Sequence, residues 1–219
     1  MATIVLDAGH SYNTPGKRSP DGMREFAFNR AVCQAARKKL ESQGIRTILT
    51  HRDDRDVPLK ERTDLANREK AALFISIHAN AYGSGNWNDV HGIETYIHSK
   101  NDSQSRSLAE AVHYSLIKET RRKDRGIKTA NFHVLRETVM PAVLIECGFM
   151  TNREEKKLLA SEDYRTLCGH TIAAAILTFI GVKKTLYLVQ TGAFSSIENA
   201  KKQAQALKNA GFDAMIMEK

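Results

Sequence analysis

Short apolar runs alternate along this chain with longer stretches of helical periodicity. Thr3–Leu6, Leu73–Ile77 and Ala142–Ile145 are continuous apolar or nearly apolar runs. That is the composition of strands buried on both faces, where in–out alternation is not expected. Ile45–Thr50 reads as another strand, and Gly92–Ile97 alternates as a further one. Phe28, Ala31, Val32, Ala35 and Leu40 fall near helical spacing and predict a helix from about Met23 to Gln43, stopped by Gly44. Further helices are expected from Pro58 to about Lys70, over Ser103–Thr120, over Glu154–Ala160 and over Asp163–Ile180. Phe132–Leu135 reads as a short strand or extended segment. The order of elements predicts an α/β fold, a twisted, largely parallel sheet flanked by helices.

Lys183-Lys184 punctuates the pattern and separates a unit of residues 1–181 from one of 184–219. In the second, Tyr187–Phe194 and Phe212–Met217 read as strands around a helix from Ser196 to Asn209, with Ser196 as its N-cap. A βαβ unit of about 36 residues is too small to bury a stable core alone. It is expected to pack on the first unit or on another copy of itself.

The net charge of +8 and pI of about 9.4 suit an acidic polymer as partner, such as nucleic acid or an anionic bacterial envelope. Lys and Arg are scattered and aromatics are only 7%, which speaks against nucleic acid. The densest basic knot, Arg121–Arg125, reads as a solvated helix end, and His51 as a solvated residue of a charged loop. Cys33, Cys147 and Cys168 lack metal-ligand spacing and suggest reduced thiols, with Cys147 a small buried hydrophobe. Met1–Asp7 has no basic n-region and reads as a first strand, not a signal peptide. The longest apolar stretch, Ile172–Ile180, is short of a membrane span, so no stable membrane insertion is expected. Synthesis in the cytoplasm without a signal peptide is the matching expectation.

Three apolar runs lead into His10, His78 and Glu146. In open α/β sheets, the crevice beyond the carboxyl ends of the strands is where ligands bind. His133 is a weaker candidate, since it precedes its apolar neighbours. Glu25 lies in the first turn of a helix, with Asn29 four residues on along the same face; by itself such an acid complements the helix dipole. Two histidines and one carboxylate with an open fourth position make a catalytic zinc arrangement. A second carboxylate, not itself a ligand, is then needed as general base. On chemistry alone, Glu25 and Glu146 could exchange these two roles. The loop Ala79–His91, with Gly83, Gly85 and Trp87, is expected to form a wall of the cleft.

Asp7-Ala8-Gly9-His10, Glu25 with Asn29, Leu59-x-x-Arg62 leading to Ala66-Asn67, Ser76-Ile77-His78-Ala79-Asn80, and Pro141–Phe149 with Asn152 occur in this order. Together they closely resemble the zinc-dependent N-acetylmuramoyl-L-alanine amidases of the Amidase_3 family, over about Thr3 to Ile180. The resemblance implies His10, Glu25 and His78 as zinc ligands and Glu146 as the catalytic base. Ser11 departs from the Gly of many members and is expected to alter only its loop. Tyr187-x-Val189-Gln190-x-Gly192-x-Phe194 and Asn199-Ala200 to Gly211-Phe212 resemble a sporulation-related (SPOR-type) repeat, a peptidoglycan-binding module usually built of two such halves. One half here implies a second copy supplied by a homodimer, or an incomplete module.

The implied reaction is hydrolysis of the peptidoglycan amide between the lactyl group of N-acetylmuramic acid and L-alanine, by zinc-activated water. Without a signal peptide, the setting is that of a phage endolysin or mother-cell autolysin that reaches the wall after release. A zinc-dependent stem-peptide peptidase would use the same residues and remains open at this point. A non-catalytic wall-binding protein has the four site residues against it. A DNA-binding protein has only the charge in its favour.

Overall fold

The computed structural model describes residues 2–14, 17–99, 102–182 and 189–218. The chain divides into two compact units, Met1–Lys183 and Lys184–Lys219. The first contains β1 (Thr3–Ala8), α1 (Glu25–Glu41), β2 (Arg46–Leu49), α2 (Leu59–Arg68), β3 (Leu73–Asn80) and β4 (Ile93–Ile97). It continues with α3 (Ser103–Thr120), β5 (Asp124–Thr129), α4 (His133–Arg136), β6 (Ala142–Phe149), α5 (Arg153–Ala160) and α6 (Glu162–Phe179). The second unit holds α7 (Ile197–Asn209).

The strands form one sheet in the order β2-β1-β3-β6-β4-β5. The first four are parallel to their neighbours, β4 is antiparallel to β6, and β5 runs parallel to β4. The largely parallel sheet expected from the sequence is present. Reversal of β4 and β5 brings the starts of these two strands to the same edge as the ends of β1, β3 and β6.

The two faces of the sheet differ. Ile4, Leu6, Ile75, Ile77, Val143 and Ile145 point to a large core closed by Phe28 and Val32 of α1, Leu108 and Val112 of α3, and Cys168 and Ile172 of α6. Burying each such aliphatic or aromatic side chain contributes about 1.5–3 kcal/mol. Gly169 lets α1 and α6 touch, since a Cβ there would sit 2.6 Å from Ala35 Cβ and 2.7 Å from the Val32 carbonyl oxygen. On the opposite face, Val5, Phe74, Ala142 and Leu144 form a smaller core under Ala66 of α2 and Val134 and Leu135 of α4. Alternate residues share a strand face, so this apolar patch runs on into Asp7, Ser76, His78 and Glu146. The patch is covered by helices; its polar continuation lies toward the carboxyl ends of β1, β3 and β6.

Several local expectations are corrected. β3 and β6 continue through Asn80 and Phe149, so His78 and Glu146 lie within paired strands and not in the loops beyond them. Phe132–Leu135 is not extended: His133–Arg136 is one helical turn, whose Leu135 and Arg136 amides donate to the Phe132 carbonyl. Burial of Val134 and Leu135 on one side favours that turn. The basic knot is a solvated helix end only in its first residues. α3 stops at Arg121 in a left-handed cap, and Asp124–Thr129 pairs with β4, a tertiary contact that local propensity does not signal. His51 is buried, its ring edge-to-face with Phe26 at 5.6 Å.

In the second unit, α7 matches the expected helix. Residues 189–194 and 212–218 form no strand, and positions 187 and 188 of the first expected strand lie outside the described residues. The apolar side chains there are exposed, Val189 by 86% and Phe212 by 65%. Two strands without a further strand or a covering core are marginal in water.

Candidate active site

Glu25, at the start of α1, stands between two histidines from different strands. Its Oε2 lies 3.1 Å from His10 Nε2, and its Oε1 lies 2.7 Å from His78 Nδ1. The imidazole rings meet nearly edge-to-face, with centroids 5.3 Å apart. The backbone amide of Ala79 donates to Glu25 Oε1 at 3.2 Å, and Asn29 Nδ2 donates to the same oxygen at 3.3 Å. Asn29 also donates to the Gly9 carbonyl at 3.0 Å, which ties α1 to the end of β1. Burial would raise the Glu25 pKa, but the two histidines overcome it and hold the carboxyl at about 2. The hydrogen bond that Glu25 accepts from His10 raises the pKa of His10 in turn.

The β1 end is shaped for this encounter. Gly9 lies against the His78 ring, and a Cβ at that position would collide with it. His10 adopts φ 64°, the left-handed region that residues other than glycine rarely occupy. Arg62 of α2 holds the turn from beneath. Its guanidinium donates to the carbonyls of Ala8 at 2.5 Å and His10 at 2.7 Å, and pairs with Asp7 at 2.9 Å.

Asp7 connects this support to His78. Burial would raise its pKa, but Arg62 and the hydroxyls of Ser76 and Thr50 outweigh that and keep it low. An ionised carboxylate only accepts, so Ser76 must donate its hydroxyl hydrogen across the 2.6 Å to Asp7 Oδ2. Ser76 Oγ can then only accept from His78 Nε2, 3.2 Å away. In the neutral ring the hydrogen is thereby placed on Nε2 and the lone pair on Nδ1, toward Glu25. A lone pair and a carboxylate oxygen at 2.7 Å repel unless a proton or a cation lies between them. The three donor atoms all lie within 4.8 Å of one another. Two imidazole nitrogens and a carboxylate oxygen suit a tetrahedral metal site with a position left open.

The structure therefore brings His10, Glu25 and His78 together; His133 is not part of that cluster. Glu146 occupies the next strand, in register with His78. Its Oε2 is buried and has no hydrogen-bond partner among the described residues. Burial, followed by the charges of Glu25 and Glu94, pushes its pKa well above the usual carboxylate range. A carboxylate kept basic and unpaired is equipped to take a proton.

Glu94, which the sequence reading left without a role, is the cross-strand partner of Glu146 on β4. It is buried, and its Oε1 accepts from Arg125 Nε and Lys128 Nζ, each at 2.6 Å. Tyr96 Oη donates to its Oε2 at 2.5 Å. The signal in the sequence was slight: a Glu near the start of an alternating strand, and a Lys three residues after an Arg. On the opposite side, Lys17, Arg18 and Arg24 line a small pocket that also touches His10 and Glu25.

Loop 81–92 is fastened to the end of β6. The Asn88 amide donates to the Thr151 carbonyl at 2.9 Å, and Arg153 stacks on the Trp87 ring at 4.4 Å. Buried Glu155 accepts from the amides of Gly92 at 2.9 Å and Phe149 at 2.8 Å. Ser11 remains local, accepting from Asn13 N and Thr14 Oγ1. Cys147 is fully buried, and a hydrogen bond with Cys168 together with burial raises its thiol pKa, which fits packing and not nucleophilic chemistry.

A family profile described as N-acetylmuramoyl-L-alanine amidase (Amidase_3) matches residues 4–178. The chain belongs to the N-acetylmuramoyl-L-alanine amidase family. It is 36% identical over 225 residues to the sporulation-specific N-acetylmuramoyl-L-alanine amidase of Bacillus subtilis (strain 168), covering 99% of this chain and 85% of that protein. It is 33% identical over 192 residues to the endolysin of Bacillus phage SPP1, covering 84% of this chain and 68% of that protein. Among solved structures, the catalytic domain of CwlV, an N-acetylmuramoyl-L-alanine amidase from Bacillus (Paenibacillus) polymyxa var. colistinus, superposes with a TM-score of 0.77 at 36% identity. That match covers 84% of this chain and all (100%) of that domain. A second profile, described as SPOR domain, matches residues 157–218. This span begins inside α5 and overlaps the amidase match. Its part within α6 carries Cys168, Ile172 and Ile176, which are buried in the amidase core.

Proposed function

We propose that this amidase hydrolyses the amide between the lactyl group of N-acetylmuramic acid and L-alanine in peptidoglycan, with His10, Glu25 and His78 holding zinc and Glu146 as general base. The observation that carries the reading is the Glu25 carboxylate shared between His10 Nε2 and His78 Nδ1, with unpaired Glu146 on the adjoining strand. Zinc, when bound, polarises a carbonyl and lowers the pKa of water to near neutrality. Glu146 takes the proton of the attacking water at its free Oε2, then returns it to the departing L-alanine nitrogen. Glu25 and Asn29 keep the end of β1 against α1, and Arg62 preserves the turn that aims His10.

The division at 181–184 and the wall-binding role of the second unit belong to the same proposal. Because α6 is committed to the amidase core, wall binding falls to residues 184–219. Exposed Phe194, Ile197, Phe212 and Met215 fit a unit completed by a second copy, a homodimer paired through the half repeat. A monomeric mass in solution at micromolar protein would overturn that pairing. The names of the two relatives suit action on the wall of a sporulating mother cell or an infected host after release.

Digestion of purified peptidoglycan, with and without a zinc chelator, tests the central reading. New L-alanine amino groups, lost on chelation and restored by zinc, are expected. New amino groups from other stem residues would move the cut to the peptide and favour a zinc peptidase. No new ends would leave a binding protein.

A further inference from the structure

We propose that Arg125 and Lys128, anchored on buried Glu94, form a subsite for a carboxylate of the stem peptide next to the scissile bond. The inference rests on the amidase reading above and adds to it the recognition of the residue that follows L-alanine.

The cluster lies in line with the chemistry. His78, Glu146 and Glu94 are successive register partners across β3, β6 and β4, and so share one face of the sheet. Arg125 and Lys128 come from β5, the next strand. Strands are spaced by about 4.8 Å, so the cations stand one to two spacings from the base. Two extended residues of a peptide reach a similar distance, on the order of 7 Å. In peptidoglycan stems, the residue after L-alanine is commonly a γ-linked D-glutamate with a free α-carboxylate, which falls within that reach of the scissile nitrogen.

The charges match as well. Glu94 supplies one negative charge, and Arg125 and Lys128 supply two positive ones. Both cations address the same oxygen, Glu94 Oε1. Arg125 does so through Nε, whereas a guanidinium carries five N–H donors and an ammonium three. Among the described residues, neither side chain makes another hydrogen bond. Glu94 is 4% exposed, but Arg125 is 25% and Lys128 39% exposed, so the anchor is closed while the cationic heads reach solvent. Aromatic rings steady both heads: Arg125 lies 5.0 Å from the centroid of Phe149, and Lys128 lies 5.9 Å from that of Tyr96. The result is a positioned positive charge in excess by one, beside the base. A single carboxylate answers it.

The test compares two soluble N-acetylmuramoyl tetrapeptides that differ only in an α-carboxylate or α-carboxamide on the second residue. With the zinc-loaded full chain, the carboxylate form is expected to have a kcat/KM about tenfold higher, as for a charge-assisted bond over a neutral one. Lys128→Gln should bring the ratio close to one, mainly by raising KM for the carboxylate form, and Lys128→Arg should largely keep it. Lys128 also neutralises Glu94, and that effect on the base would slow both substrates alike, so the ratio isolates recognition. Equal rates for the two substrates in the unaltered chain, or a ratio untouched by Lys128→Gln, would overturn the subsite. Cleavage of neither substrate at the lactyl–alanine bond would instead overturn the amidase reading, and the subsite with it.

Discussion

Ser76 Oγ lies 2.6 Å from Asp7 Oδ2, and through this bond a buried carboxylate sets the protonation pattern of a histidine it does not touch. Replacement by alanine frees the His78 ring to place its hydrogen on either nitrogen. Ser76→Ala is expected to weaken zinc binding by about 10–100-fold, the usual cost of removing a group that orients a ligand. Competition against a chromogenic chelator measures this directly. Unchanged zinc affinity would mean that the tautomer is set elsewhere.

Glu146→Gln keeps the shape of the side chain and removes its basicity. Zinc content is expected to stay stoichiometric while kcat falls by about 10²–10⁴, the range of general-base contributions. Retained turnover would reassign the base. Loss of zinc would place Glu146 among the ligands.

The pH dependence carries a sign. As the proposed base, Glu146 would work ionised, and burial, Glu25 and Glu94 all raise its pKa. The acid limb of kcat/KM should therefore lie above the ordinary carboxylate range. A bound cation offsets part of the Glu25 contribution, but burial, the largest cause, persists. Glu94→Gln removes a like charge and leaves two cations nearby, so the limb should move to lower pH. A limb that stays in place or moves up would contradict the electrostatic assignment.

The same group strains the metal-free fold. A carboxylate whose pKa is raised on folding binds its proton more tightly in the folded than in the unfolded chain, so stability falls as pH rises from the unfolded toward the folded pKa. Metal-free Glu146→Gln should consequently melt above the parent at pH 7. The advantage should shrink toward pH 4, where both states of the parent are largely protonated. Thermal melts at the two pH values settle the sign.

Arg62 and Asp7 form a buried ion pair, with side chains 3% and 2% exposed. Removing one partner of such a pair typically costs about 3–5 kcal/mol. Arg62→Ala is expected to destabilise the fold by about that amount in urea melts and to weaken zinc binding as the His10 turn relaxes. Gly9→Ala should impair zinc binding with a smaller loss of stability, because its Cβ displaces the His78 ring more than the core.

Much of this architecture can be read from residue order. The apolar runs before His10 and Glu146, and the run leading into His78, mark the buried parallel strands, since few other contexts tolerate such runs. Helix periodicity places α1 and α3 within a residue or two. Glu25 is different: a first-turn acid has an ordinary explanation, and only the family motif singled it out. Arg125 and Lys128 were illegible because β5 has little apolar pattern and owes its strand form to β4. A search for strand ends also overlooks strand beginnings, and reversal of β4 and β5 sends their beginnings to the functional edge. The absence of strand over residues 189–194 and 212–217 has the opposite cause: their pattern is sound, but nothing among the described residues pairs with them.

That reversed pair separates two duties along the chain. His10, Glu25 and His78 come from before residue 81, and Glu146 follows residue 141. Loop 81–92, Glu94, Arg125 and Lys128 all fall in the single intervening stretch, 81–141, whose ends join adjacent parallel strands. On the roles proposed above, this contiguous insert is a cassette: changes confined to it would alter which wall chemistry is accepted while leaving His10, Glu25, His78 and Glu146 in place.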